Sequence, residues 1–298
     1  MLHIPPYLVK GDQVVLAATA RKISSDELRP AVEYLQSRGL EVLFTPGLFD
    51  THHQFAGTDV QRAAAFQWAL SHPTAKAILI VRGGYGTVRI IDNVQFDVLR
   101  QYPKWICGYS DVTVLHSHLH QLNWASLHCT MPINFTKHAG AVETLLNALQ
   151  GEPLRYPVAH HALNRAGRST AIVTGGNLSL LYALSGSVSD VDTGGKLLFI
   201  EDLDEYLYHI DRMMLQLKRA GKLKNLAGLI VGGMSDMKDN AVPFGQSAEQ
   251  IIRSAIEEYS FPVCFGFPAG HIDENNAIYF GKHAQLEVTE SGAILEYV

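Results

Sequence analysis

Residues Trp105–Leu119, WICGYSDVTVLHSHL, decide the architecture. An apolar run, Trp105, Ile106 and Cys107, meets Gly108, Tyr109, Ser110 and Asp111, after which Val112, Leu115, His116 and Leu119 recur at helical spacing. The order is strand, sharp turn, helix. A serine at such a turn has two readings. In a nucleophile elbow the tight backbone lifts the hydroxyl clear of the sheet and beside the first amides of the helix; otherwise the hydroxyl caps the helix. The match to G-x-S-x-G is half complete, because Val112 stands at the second glycine position.

On either side the same alternation repeats. Gln13–Ala18 is a short, almost wholly apolar run, as a strand buried on both faces of a parallel sheet requires. Ser24 or Ser25 caps a helix that ends at Gly39, Glu41–Phe44 is a second strand, and Thr58 or Asp59 caps a helix over Gln61–Leu70. Ala77–Val81 is a third strand, followed at once by Arg82, Gly83, Gly84, Tyr85 and Gly86. So many glycines after a buried strand mean a backbone at positive φ or one that something approaches closely. If this strand neighbours the one before Ser110, Gly84 and Ser110 share a crevice at the carboxyl ends of the strands.

Periodicity lapses between 151 and 169, which reads as a linker between a 1–150 domain and a 170–298 domain. Beyond it Ala171–Thr174 is strand-like, Gly175–Asn177 reads as a turn, and Leu178–Leu184 starts a helix. Lys196–Ile200 is a buried strand ending at Glu201, and Tyr208–Gly221 is an amphipathic helix with Ile210, Met213, Met214 and Leu217 on its apolar stripe. Leu226–Val231, Val263–Phe265 and Ala277–Phe280 are further strands, and Gln285–Val288 with Ala293–Tyr297 forms a closing hairpin. The expected fold is α/β: an N-terminal doubly wound parallel sheet of flavodoxin or glutaminase type plus a smaller C-terminal α/β domain, with the active site between them.

The chain has 298 residues, 47% hydrophobic and 18% charged, with a formal net charge of -5, which describes a globular protein rather than a disordered one. No Lys/Arg block could track a phosphate backbone, so nucleic acid is not an expected partner. The amino-terminal segment has neither a secretory apolar region nor a spanning helix, and the expected location is cytoplasmic, with no membrane partner. Cys107, Cys129 and Cys264 are widely spaced in apolar surroundings and read as buried free thiols. A thiol nucleophile is disfavoured because Cys107 precedes the turn. His52/His53 and His160/His161 lack any metal-ligand spacing, so no metal is expected. A non-catalytic anion-binding protein that uses VRGGYG as a cradle is the alternative from another class, although that motif lacks dinucleotide and Walker spacings.

Activating a serine takes a base, usually His, and a carboxylate to orient it. Glu201 closes a strand and opens the acidic run EDLDE; His271 lies in a Gly- and Pro-rich loop after the strand at Val263. Each also has a plain reading, as a solvated acidic face and an ordinary loop residue.

Taken together, VRGGYGTVRIID (Val81–Asp92), GYSDVTVLH (Gly108–His116), GGNLSLL (Gly175–Leu181), EDLDEYLYHIDRMMLQL (Glu201–Leu217) and GFPAGHIDENNAIYFG (Gly266–Gly281) resemble the LD-carboxypeptidase family of serine peptidases, the muramoyltetrapeptide carboxypeptidases. The five motifs occur in order and span most of the chain. The resemblance implies Ser110 as nucleophile, His271 as base, Glu201 as acid partner, and the backbone amides of Gly84 and Asp111 as oxyanion hole. It makes Arg82 a contact for a substrate carboxylate, with a salt bridge inside the cleft as the other reading of that residue. It further implies a murein tetrapeptide as substrate, no cofactor, and a homodimer. A microcin C immunity-type hydrolase of peptidyl or aminoacyl nucleotides is the alternative on the same scaffold. AATA (Ala17–Ala20) and CTMP (Cys129–Pro132) depart from the family pattern, which bears on the shape of loops near the cleft.

Overall fold

The computed structural model describes residues 2–298. The first half alternates strand and helix: β1 (Gln13–Ala17), α1 (Ser25–Ser37), β2 (Glu41–Phe44), α2 (Asp59–Ser71), β3 (Ala75–Ile80), β4 (Trp105–Gly108), α3 (Thr113–Gln121), β5 (Ser126–His128) and α4 (Ala139–Gln150). Ser24 and Thr58 each begin a helix through a capping box, with Glu27 and Gln61 returning the bond to the cap residue's own N–H. The five strands are parallel in the order β2-β1-β3-β4-β5. That order reverses between β1 and β3, where a doubly wound sheet opens a crevice at its carboxyl edge. Alternate strand residues serve two cores, which is why the strands read as unbroken apolar runs. Val14, Leu16 and Leu79 cluster with α1 and α4, while Val15, Ile78 and Ile80 cluster with α2 and α3. Each such side chain, fully buried, contributes about 1.5–3 kcal/mol.

The second half contains β6 (Arg155–Ala159), β7 (Gly167–Asn177), α5 (Leu178–Ala183), β8 (Leu197–Leu203), α6 (Leu207–Arg219), β9 (Gly228–Ser235), α7 (Ala248–Ala255), β10 (Val263–Cys264), β11 (Ile278–Phe280), β12 (His283–Thr289) and β13 (Gly292–Tyr297). Its mixed sheet runs β10-β9-β8-β7-β12-β13-β6, parallel through β7 and antiparallel beyond it. Ile210, Met213, Met214 and Leu217 of α6 pack with Ile251 and Ile252 of α7 against Leu198, Ile200, Leu229 and Val231 on one face. From the other face Val173, Phe199 and Ile230 join the cluster that contains Leu127, Cys129 and Tyr279. One apolar core therefore runs across both sheets and fixes their relation.

Three segments differ from the sequence-based expectation. Arg155–Ala159, within the span read as a linker, is an edge strand with Tyr156 and Val158 buried; Pro157 is tolerated because an edge strand needs fewer N–H donors. Gly175 and Gly176 do not form a turn but complete β7. A Cβ on Gly175 would overlap the Phe199 carbonyl, and one on Gly176 would lie 2.5 Å from Thr113 Oγ1, so these glycines let two strands and α3 meet. Finally, β11 pairs antiparallel with β5 and becomes the sixth strand of the first sheet.

Candidate active site

β4 ends at Gly108, Tyr109 stays extended, and Ser110 takes φ +63°, a left-handed conformation that costs a non-glycine residue about 1–3 kcal/mol. The hydroxyl does not cap the following helical turn, which has no side-chain cap. Ser110 Oγ instead lies 3.0 Å from His271 Nε2. His271 Nδ1 lies 2.6 Å from Glu201 Oε2, and the His271 backbone N–H donates to the same oxygen at 3.0 Å. With Nδ1–H donating to the carboxylate, Nε2 is left to accept the serine proton.

Glu201 is fully buried on β8, and its Oε1 finds no partner among the described residues. His271 sits on a loop whose ends are held by different sheets, β10 in the second and β11 in the first. Ser235 Oγ donates to the His271 carbonyl at 2.7 Å, and the Tyr109 ring lies against the imidazole with centroids 4.9 Å apart. Asn275 Oδ1 accepts from Gly270 N–H at 2.8 Å and lies 3.2 Å from His128 Nε2, pinning the loop from beneath. Burial opposes a charged imidazole, but the charge and hydrogen bond of Glu201, with the charge of Asp202, outweigh it and hold the His271 pKa above its ordinary value.

Because β3 and β4 are neighbours, the Arg82–Gly86 turn lies beside the serine. The Asp111 carboxylate points beneath that turn, where Oδ2 accepts from Thr87 N–H at 2.8 Å, and burial pushes its pKa up. Thr87 Oγ1 is 2.8 Å from Thr19 Oγ1, and the buried Arg62 guanidinium donates to the carbonyls of Thr19 and Gly86 while pairing with Asp59. These bonds tie the glycine turn to the β1 loop and the elbow. Among the described residues, loop and turn hydrogen bonds leave the Gly84 and Asp111 amides unclaimed. Arg82 lines the cleft, and its Nη1 lies 3.3 Å from the Lys22 carbonyl and 3.5 Å from Glu27 Oε1. Glu27 is not among the residues that line the cleft, so this ion pair lies at its margin rather than inside it.

The cleft around Ser110 has a volume of about 610 Å³. Its charged lining comprises Arg21, Arg82 and Asp111 from the first domain and Asp202, Asp204 and Glu205, with His271, from the second. Asp204 pairs with Lys238 and Glu205 with His209, each at 2.6 Å. Asp202 accepts from Asn177 Nδ2, Ser179 N–H and Leu203 N–H at 2.8–2.9 Å, and burial together with the Glu201 charge pushes its pKa up to about 7. Arg21, Asn177 and Asp202 fall outside the set read from sequence. The signal for Arg21 was its place just beyond β1, where the crevice of such a sheet opens.

The three cysteines are free and buried. Among the described residues no group of three or more His, Cys, Asp or Glu side chains is arranged to hold a metal, and no helix is long and apolar enough to cross a membrane.

A hydroxyl, an imidazole and a buried carboxylate in one hydrogen-bonded line, set between two α/β domains, define the class as that of two-domain serine hydrolases. Residues 14–129 match the LD-carboxypeptidase N-terminal domain and residues 170–286 the LD-carboxypeptidase C-terminal domain. The chain belongs to the LD-carboxypeptidase family. It is 34% identical to the probable murein peptide carboxypeptidase of Bacillus subtilis (strain 168) over 98% of this chain and 94% of that protein. The crystal structure of muramoyltetrapeptide carboxypeptidase from Oxalobacter formigenes superposes with a TM-score of 0.88 at 26% identity, covering 96% of this chain and 98% of that one. The microcin C7 self immunity protein MccF, in its wild type apo state, shares the fold with a TM-score of 0.87 at 19% identity, over 99% of this chain and 98% of that one.

Proposed function

We propose that this protein is a cytoplasmic serine carboxypeptidase that cleaves the L,D bond before the terminal D-alanine of murein tetrapeptides, in cell-wall recycling. The observation that carries the reading is the line from Ser110 through His271 to Glu201, formed by side chains from both domains of an LD-carboxypeptidase family member. His271 Nε2 takes the Ser110 proton as Oγ attacks the scissile carbonyl, and Glu201 stabilises the imidazolium and holds its tautomer. The Gly84 and Asp111 amides hold the oxyanion. His271 then gives the proton to the departing D-alanine nitrogen, leaving an acyl-serine that water hydrolyses with His271 again as base. These steps use only groups of this chain and water, and the active species is a homodimer.

The test is incubation with a purified murein tetrapeptide and assay of free D-alanine in the presence of chelator. Release by the wild type, abolished in Ser110→Ala, is the expected result. Cleavage of a peptidyl or aminoacyl nucleotide without D-alanine release would replace the substrate, and D-alanine release surviving in Ser110→Ala would remove the serine from its role.

A further inference from the structure

A carboxypeptidase must recognise a free terminal carboxylate, and the geometry of the peptide limits where that recognition happens. From the scissile carbonyl carbon to the carboxylate carbon of the leaving residue is three bonds, no more than about 4 Å. The group that reads the carboxylate must therefore adjoin the donors that hold the scissile carbonyl oxygen. Arg21 does so. Its side chain lies flat across Gly84, such that a Cβ there would fall 2.5 Å from Arg21 Cδ and 2.6 Å from Nε. Gly84 itself stands at φ +111°, so the turn excludes a side chain both by conformation and by the arginine lying over it.

Two further observations single out this residue. The main chain of Arg21 is fixed by a bridge to Phe55, which sets the start of the side chain at the crevice between the carboxyl ends of β1 and β3. Among the described residues no carboxylate lies within ion-pair distance of its guanidinium, whereas Arg82, the other cation of the cleft, is drawn toward Glu27 and the Lys22 carbonyl. A guanidinium offers a planar pair of donors that matches a carboxylate.

Building on the proposed carboxypeptidase reading, we infer that Arg21 is the specificity residue that binds the terminal carboxylate of the leaving D-amino acid. It distinguishes a free C-terminus from a blocked or extended one at the step where the scissile carbonyl settles against the Gly84 amide.

The experiment compares kcat/KM for a murein tetrapeptide ending in D-alanine with that for the same peptide ending in D-alaninamide, in wild type, Arg21→Met, Arg21→Lys and Arg82→Met. The expected result is a wild-type preference for the acid that falls at least roughly tenfold in Arg21→Met, partly returns in Arg21→Lys, and persists in Arg82→Met, with Arg21→Met losing far more turnover on the acid than on the amide. Equal losses on acid and amide in Arg21→Met would show a merely structural role and overturn the assignment. So would a preference that collapses in Arg82→Met alone. Wild type that cleaves neither peptide would overturn the carboxypeptidase reading itself, and the role of Arg21 with it.

Discussion

Ser110 sits on a turn whose flanks, β4 and α3, are adjacent in sequence and packed in one domain, whereas His271 sits on a loop whose flanks, β10 and β11, belong to different sheets. The serine's geometry is local: a buried strand, a left-handed residue and a helix place the hydroxyl within the single segment Trp105–Gln121. The imidazole's geometry is not. It depends on the pairing of β11 with β5, on Asn275 beneath the loop, and on a carboxylate from β8. The proposed nucleophile therefore tolerates remote change, while the proposed base is vulnerable to any loss that frees its loop.

Three substitutions test this contrast. Ser110→Ala removes the proposed nucleophile from a turn that nothing else distorts, so kcat is expected to fall on the order of 10⁵–10⁶-fold while the melting temperature stays within about 2 °C of wild type. A comparable loss accompanied by unfolding would mean that the elbow is not self-contained.

Glu201→Gln acts on the other side of the hydrogen bond. A reduction of roughly 10⁴-fold is expected, because the amide can no longer fix the tautomer or stabilise the imidazolium. Its pH profile is the sharper readout. The raised pKa of His271 keeps the base protonated to higher pH than an ordinary histidine, so wild-type kcat/KM is lost as pH falls through a value above 6.5. Removing the Glu201 charge leaves burial opposed by the Asp202 charge alone, so the pKa falls and the acid limb moves down; an unmoved limb would deny that Glu201 sets it.

Asn275→Ala is the smallest of the three and bears most directly on the loop. It leaves the buried Gly270 N–H without its acceptor, for a stability loss of about 1–3 kcal/mol. The loosened imidazole is expected to cost kcat on the order of tenfold to a hundredfold with KM little changed. Equal kcat in the variant would show that the sheets hold His271 without the asparagine.

Much of the first domain was legible from local signals. Ser24 with Glu27 and Thr58 with Gln61 mark helix starts through reciprocal bonds over three residues, and the apolar runs of β1, β3 and β4 announce strands covered on both faces. Less legible were β6, whose two-residue alternation is short and broken by Pro157, and Gly175 with Gly176, whose composition mimics a turn although a neighbouring strand is what excludes their side chains. At the site, the motifs pointed to Ser110, Glu201 and His271. Arg21 carried only the weak signal of its place just beyond β1; what sets it apart is the glycine from another strand's turn over which it lies.

The amino-acid sequence by itself determined most of the strands and helices, that two α/β units follow one another, and that a serine tops a strand-to-helix turn; each is written in burial periodicity and capping within a few residues. Only the tertiary structure decided that Ile278–Phe280 joins the first sheet, that Arg82 bends toward Glu27 while Arg21 stays open to the cleft, and that His271 stands 3.0 Å from Ser110. The reason is that periodicity records whether a side chain is buried, not against what. Partners 161 residues apart in the chain are selected by the shared core that holds the two sheets together.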